Sequence, residues 1–244
     1  METGEVIRVL NCPCTIADTD HYQDFIQKGL NDGKSIITVA INARKIVMYN
    51  HDSEFRKIFE QNVVLPVPDG IGATIPMRLF NKKASPKIDF PGFMLDFSSR
   101  KVLRCYFLGT TESRNEKAVN HIANLYPGIK ITGRHAGFNI NEEKLLSELA
   151  ETRTQVVYVA MGSPRQEIFS ARLAEKTFGI IFVGVGGRFD ILANEKKRAP
   201  RLLIRLGLEW TYRFFSEPAR IKHQRKEMIA YLSLFSNALL NKSK

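Results

Sequence analysis

Cysteine is scarce in this chain of 244 residues, with only Cys12, Cys14 and Cys105. So sparse and odd a set argues against a disulfide framework and fits a reducing compartment. Cys12 and Cys14 form a Cys-x-Cys with no second pair, so buried thiols are expected rather than a metal site. The five histidines show no ligand spacing; no metal site is assigned and no cofactor is expected. No run of eighteen apolar residues exists, which argues against a transmembrane helix. The first residues carry Glu2 and Glu5 and no long apolar run, unlike a secretory signal. Internal repeats and low-complexity linkers are also missing. What is present is an ordinary hydrophobic fraction of 44%, and enough length for one large domain or a domain with an appendage.

The net charge is +11, and it is unevenly placed. Residues 196–244 hold 12 Lys and Arg against 3 Asp and Glu, whereas residues 1–195 hold 24 against 22. Such a basic C-terminal stretch suits nucleic acid, anionic lipid or a diphosphate ligand. A solvated face that aids solubility is the bland alternative.

Apolar runs of strand length alternate with helical segments. Strands are predicted at 35–41, 63–67, 102–108, 129–131, 155–161 and 179–183. Helices are predicted at 21–30, 53–61, 72–79, 113–126, 141–151 and 164–176, with Asp20 capping the first and Asp52 or Ser53 the second. This alternation predicts an α/β fold, Rossmann-like, with a largely parallel sheet and helices on both faces. After Ala199 no strand is expected. Helices near 201–215 and 218–240 follow, the second with Met228, Leu232, Phe235 and Leu239 on one face. The division expected is an α/β catalytic domain over 1–197 and a basic helical appendage over 198–244.

In such sheets ligands bind beyond the carboxyl ends of the strands, and several polar segments fall there. Pro68-Asp69-Gly70-Ile71-Gly72 puts one carboxylate in a tight loop. That is the place for a general base, and equally for a turn aspartate bonded to its own backbone. Gly162-Ser163-Pro164-Arg165-Gln166-Glu167 joins a buried strand to a helix N-terminus, where free N–H groups attract anions and hydroxyls. Ser163 capping with Gln166 is the structural alternative, and the two are compatible. Gly184-Val185-Gly186-Gly187-Arg188-Phe189-Asp190 lacks the third glycine of a dinucleotide fingerprint, because position 189 is Phe. It reads as close backbone approach to a nucleotide or phosphate at Gly186, with Asp190 near hydroxyls, or as a bulge or turn. Asp18-Thr19-Asp20 is a weak metal motif better explained by helix capping. Arg213, Arg220, Lys222, His223, Arg225 and Lys226 form the basic tail, interleaved with Trp210, Tyr212, Phe214 and Phe215. Arginine grips phosphate with a planar fork; a helix docked on the core is the alternative.

Taken together, these segments resemble the WecG/TagA/CpsF family of bacterial glycosyltransferases from about Ile36 to about Arg225. The resemblance is strongest at Val157 to Glu167, Gly184 to Asp190, Lys197-Arg198-Ala199-Pro200 and Leu208-Glu209-Trp210. Asn42-Ala43, Pro68 to Gly72 and Tyr126-Pro127-Gly128 also match. Ala-Met-Gly-Ser-Pro looks most like the branch that transfers N-acetylmannosaminuronate in enterobacterial common antigen synthesis. The resemblance implies a UDP-sugar-dependent hexosyltransferase that moves N-acetylmannosamine or its uronic acid onto an N-acetylglucosaminyl diphosphate-polyprenol in cell-surface polysaccharide (antigen or teichoic acid) synthesis. It implies inversion at the anomeric carbon without a metal. By carry-over Asp69 would be the base. Asn42 and Gln166 would contact the donor sugar and Asp190 would lie in the donor site; Glu167 and Gly186 are expected to bind substrate as well, from their places at the helix N-terminus and the glycine loop. Arg213 and Arg220 would close over the diphosphate and offset its charge. The implied location is cytoplasmic, peripheral at the inner face of the membrane, with an anionic membrane surface as partner. Homo-oligomerisation stays open, and no nucleic-acid partner is expected.

The chain departs from the family pattern at Asp89-Phe90-Pro91-Gly92-Phe93-Met94, where an Arg-x-x-Gly-x-Asp element is usual. It departs again at Ala40, His223 and Asn194. These positions bear on donor and acceptor identity more than on reaction class; another UDP-hexose donor for capsule or exopolysaccharide is the alternative. A nucleic-acid-binding module and a nicotinamide-dependent oxidoreductase are the rivals from other classes. Neither accounts for the polar residues at the predicted strand ends.

Overall fold

The computed structural model describes residues 4–61, 63–83, 85–193, 200 and 218–242. An antiparallel hairpin comes first, β1 (Glu5–Val9) and β2 (Cys12–Ile16). Then follow α1 (Thr19–Asn31), β3 (Ile36–Ile41), α2 (Ala43–His51), α3 (Ser53–Gln61), β4 (Val64–Pro68) and α4 (Ile71–Asn81). Next come α5 (Phe90–Arg100), β5 (Arg104–Gly109), α6 (Glu112–Leu125), β6 (Lys130–His135) and α7 (Glu142–Glu151). The rest is β7 (Val156–Ala160), α8 (Arg165–Ala174), β8 (Ile181–Gly184), α9 (Arg188–Leu192) and a long helix α10 (Pro218–Lys242). The α/β fold read from the sequence is the fold observed.

Strands β3 to β8 form one parallel sheet in the order β4-β3-β8-β7-β5-β6. Its central strands are apolar on both sides, as a sheet covered on both faces requires. On one face Ile36, Leu65, Phe107, Tyr158 and Ile181 meet α1, α5, α6 and α9. On the other, Ile37, Val39 and Ile41 meet α2, α3 and α4, and Val157 and Phe182 meet α7 and α8. Phe107 and Tyr158 stack with centroids 5.2 Å apart, and the Tyr158 hydroxyl shares a 2.8 Å hydrogen bond with Ser98, so the polar atom is not stranded in the core. Cys12, Cys14 and Cys105 are buried and free.

The differences from expectation are local. Asp18, not Asp20, caps α1, accepting the backbone N–H groups of Asp20 and His21. Residues 43–51, assigned to no element from sequence, are helix α2, capped by Asn42. In α10 the docked side carries Glu227, Tyr231 and Phe235, while Met228, Leu232 and Leu239 are exposed. Apolar residues lie on more than one side of this helix, so periodicity alone does not pick the docked one. The helix expected near 201–215 lies outside the described residues.

Candidate active site

The parallel register assembles the site. Ile41 pairs with Pro68 at the ends of β3 and β4, so the next residues, Asn42 and Asp69, leave the sheet side by side. The Asn42 amide Nδ2 stands 3.5 Å from Asp69 Oδ2. The Asp69 N–H donates to Ile41 O at 2.7 Å, which fixes the start of the loop. Asn42 Oδ1 accepts the Lys45 N–H at 3.2 Å. One asparagine therefore caps α2 and faces the exposed Asp69 carboxylate. The two loops touch: a Cβ on Gly72 would come within 2.7 Å of both Cβ and N of Ala43.

Two strands away, β7 ends in Met161-Gly162-Ser163-Pro164 and opens α8. Ser163 does not cap the helix. Its hydroxyl instead donates to Glu167 Oε1 at 2.9 Å, so the cap with Gln166 given as the structural alternative is not formed. The same oxygen receives Gln166 Nε2 at 2.9 Å and Lys45 Nζ at 2.7 Å. Glu167, Gln166 and Lys45 are only 2%, 3% and 5% exposed. Gln166 Oε1 in turn accepts the Gly186 N–H at 3.1 Å, in the loop after β8. Gly186 sits at φ +52, a conformation that favours glycine. A Cβ on Gly184 would lie 2.6 Å from Gln166 Nε2 and would push that amide aside.

Beyond this, Asp190 on α9 accepts the Thr110 hydroxyl at 3.3 Å and stands 3.6 Å from Arg114 Nη1. Asp89 caps α5 through the Gly92 N–H, and Arg188 Nη1 donates to both of its oxygens at 2.6–2.7 Å. The segment that departs from the family pattern is thus tied to the loop after β8.

The sheet ends bring together Asn42 and Asp69 on one side, and Gln166, Glu167 and Gly186 on the other. Asp190 follows β8 on α9. Arg213 lies outside the described residues, as do Lys197, Arg198 and Trp210; Arg220 lies near the start of α10. Sequence reasoning missed Lys45, Thr110 and Arg114, and gave Arg188 no role. Lys45 hid because its helix was not recognised; the signal was Asn42, a capping residue directly after a buried strand. Asp18 hydrogen-bonds His21 as well as the α1 backbone. Among the described residues, no group of three or more His, Cys, Asp or Glu side chains is placed to hold a metal ion.

Helix α10 docks on α2 and α4, which begin at the Asn42 and Asp69 loops. The Tyr231 hydroxyl donates to Gly72 O at 2.7 Å, and Arg44 Nε bonds Glu227 Oε1 at 3.0 Å. Both contacts fall within three residues of Asp69 or Asn42. Among the described residues no helix is long and apolar enough to cross a membrane.

Comparison with known proteins matches residues 7–244 to the family described as Glycosyl transferase WecG/TagA/CpsF family. The chain is similar to the N-acetylglucosaminyldiphosphoundecaprenol N-acetyl-beta-D-mannosaminyltransferase of Bacillus spizizenii strain W23, at 32% identity over 157 residues. That match covers 63% of this chain and 61% of the relative, less than two thirds of its length. A protein of the same name in Bacillus subtilis strain 168 is 29% identical over 217 residues, covering 87% of this chain and 84% of that protein.

Proposed function

The chain belongs to the WecG/TagA/CpsF glycosyl transferase family, and from that premise we propose that it transfers an N-acetylmannosamine-type sugar from UDP to a polyprenyl-diphosphate-linked N-acetylglucosamine. The observation that carries this reading is the side-by-side exit of Asn42 and Asp69 from β3 and β4, in a chain similar to two proteins named as N-acetyl-beta-D-mannosaminyltransferases acting on N-acetylglucosaminyldiphosphoundecaprenol. In the proposed reaction the acceptor hydroxyl oxygen attacks the anomeric carbon on the face opposite UDP. The carbon–oxygen bond to the diphosphate breaks, UDP leaves, and Asp69 takes the hydroxyl proton. Asn42 orients Asp69, and Gln166 and Gly186 form the sugar edge, with Asp190 behind it. Arg213 and Arg220 offset the charge on the leaving diphosphate, in place of a divalent metal. Inversion, metal independence and the division into a 1–197 catalytic domain and a 198–244 cover are parts of the proposal.

The proposed setting is the cytoplasmic face of a membrane. Supporting it, α10 exposes Ile229, Leu232 and Leu240 at 65%, 56% and 65% and carries exposed Arg225 and Lys226 toward its start. Exposed apolar side chains beside basic ones suit a helix that rests in the headgroup layer.

The test is UDP release with a panel of UDP-sugars, with and without a polyprenyl-diphosphate-linked N-acetylglucosamine, in EDTA. Acceptor-dependent release with UDP-N-acetylmannosamine or its uronate is expected. No acceptor-dependent release across the panel would refute the transfer, and release abolished by EDTA would refute its metal independence.

A further inference from the structure

Five hydrogen-bonded or ion-paired steps cross the sheet end without a break. Asp69 meets the Asn42 amide, Asn42 accepts the Lys45 N–H, and the Lys45 ammonium grips Glu167. Glu167 holds the Gln166 amide, and Gln166 accepts the Gly186 N–H. Lys45 is the middle link, engaged through its backbone on one side and its side chain on the other. A buried ammonium and carboxylate are costly to desolvate, and apolar residues of similar volume often hold a fold as well. Stability alone is therefore a weak reason for a charge pair here. Its geometric effect is specific. Three donors converge on Glu167 Oε1, while Oε2 is buried and has no hydrogen-bond partner among the described residues. With its nitrogen committed to Glu167, Gln166 must present its oxygen to the Gly186 loop.

We propose that Lys45 and Glu167 are positioning residues: their buried ion pair fixes the rotamer and amide orientation of Gln166, and through it the Gly186 loop, so that the sugar half of the donor meets a preset edge. Glu167 itself does not touch the substrate. This rests on the reading that Gln166 meets the donor sugar, and it extends that reading to two residues that never reach the sugar.

The test compares wild type with Lys45→Met and Lys45→Met/Glu167→Leu. Thermal melting, calorimetric affinity for UDP and for UDP-N-acetylmannosamine, and the NMR exchange rate of the Gly186 amide are measured. The single variant strands a buried carboxylate and is expected to melt lower. The double variant, with two apolar groups, is expected to regain most of that stability. It is expected to bind UDP as wild type does, to bind the UDP-sugar about tenfold more weakly, as the loss of one charge-assisted hydrogen bond implies, and to exchange the Gly186 proton faster. Recovery of UDP-sugar affinity together with stability would overturn the proposal, because a merely structural pair predicts that result. If wild type binds UDP-N-acetylmannosamine no more tightly than UDP, the donor reading fails instead. The Gly186 amide then decides alone: faster exchange in the double variant supports the clamp, and an unchanged rate overturns it. Should the double variant not fold, Glu167→Gln keeps the shape and removes the charge. A smaller loss of UDP-sugar affinity or faster Gly186 exchange is expected there, and no change in either refutes the clamp.

Discussion

Gly72→Ala tests whether the Asn42 and Asp69 loops work as one unit. Gly72 is the second residue of α4, three residues after Asp69, and its Cα faces the first residue of α2. An added Cβ would lie 2.7 Å from the Ala43 Cβ, 2.7 Å from its backbone N and 3.1 Å from its Cα. Two of these three atoms are backbone, so no side-chain rotation relieves the clash. The loops must part by roughly 0.7 Å to reach ordinary van der Waals contact. The Asn42–Asp69 contact is already 3.5 Å, at the outer limit of a hydrogen bond, and a shift of this size breaks it. Misplacing a catalytic group by such a distance costs about 10- to 100-fold in turnover. Overpacking should cost about 1–3 kcal/mol of stability, or several degrees in Tm at this chain length. The assay is UDP release under saturating donor and acceptor, run below the variant's melting transition. The expected result is a fall in kcat with little change in UDP affinity. Adding Ala43→Gly removes the Cβ contact but not the backbone one, so rescue should be partial. A Gly72→Ala enzyme with kcat within about twofold of wild type would refute the coupling of the two loops.

Asp69→Asn is expected to abolish transfer while UDP binding persists, checked by turnover beside calorimetry; wild-type turnover would remove Asp69 as base. Tyr231→Phe loses one hydrogen bond, from its hydroxyl to Gly72 O, and should lower stability by about 1 kcal/mol, read as a shift in urea midpoint; no shift would show that this contact contributes nothing to docking. Burial pushes the Cys14 and Cys105 thiols up from 9.0 to about 12. Because the folded value is the higher, their contribution to stability is full below pH 9.0 and is lost as pH rises toward about 12. The urea midpoint should therefore fall across that window, less steeply in Cys105→Ala; equal slopes would contradict the assignment. Leu232→Glu on the outer side of α10 should weaken co-sedimentation with vesicles rich in anionic lipid, and unchanged sedimentation would remove that side from the membrane contact.

The fold was legible because the central strands of the sheet are written as short apolar runs, several of them closed by glycine, proline or aspartate. Val156 to Ala160 and Ile181 to Gly184 are the clearest cases. Where the signal failed, a second pattern overlapped it. The hairpin carries Pro13 and two cysteines in five residues, so it does not read as a strand. Helix α2 follows β3 after a single residue, and its buried Ile46, Val47, Met48 and Tyr49 blur the boundary. In sequence its cap, Asn42, stands out only through the family resemblance, as a sugar contact; the structure gives it the cap and places Asp69 beside it. The strand-end residues were legible individually. Their connection was not, because it depends on sheet order: β3 lies beside β8 in space, although β4 to β7 come between them in the chain.

That order also bears on the basic C-terminal segment. Helix α10 is not attached to the fold at an arbitrary place. Its Tyr231 and Glu227 engage Gly72 and Arg44, and these follow Asp69 and Asn42 by three and two residues. A force that lifts α10 acts on the first turns of α2 and α4, beside the loops that hold the proposed base. Under the proposed membrane setting, a bilayer that receives the exposed Ile229 and Leu232 would bear on the helix from its outer side and leave these inner contacts in place. The lipid-linked acceptor would then meet a base held in position by the same helix that rests on the membrane. Arg44→Ala separates this from simple anchoring. Arg44 points to Glu227, so its loss should spare vesicle binding yet lower turnover on vesicle-borne acceptor. A parallel loss of both, or of neither, would break the link between docking and catalysis.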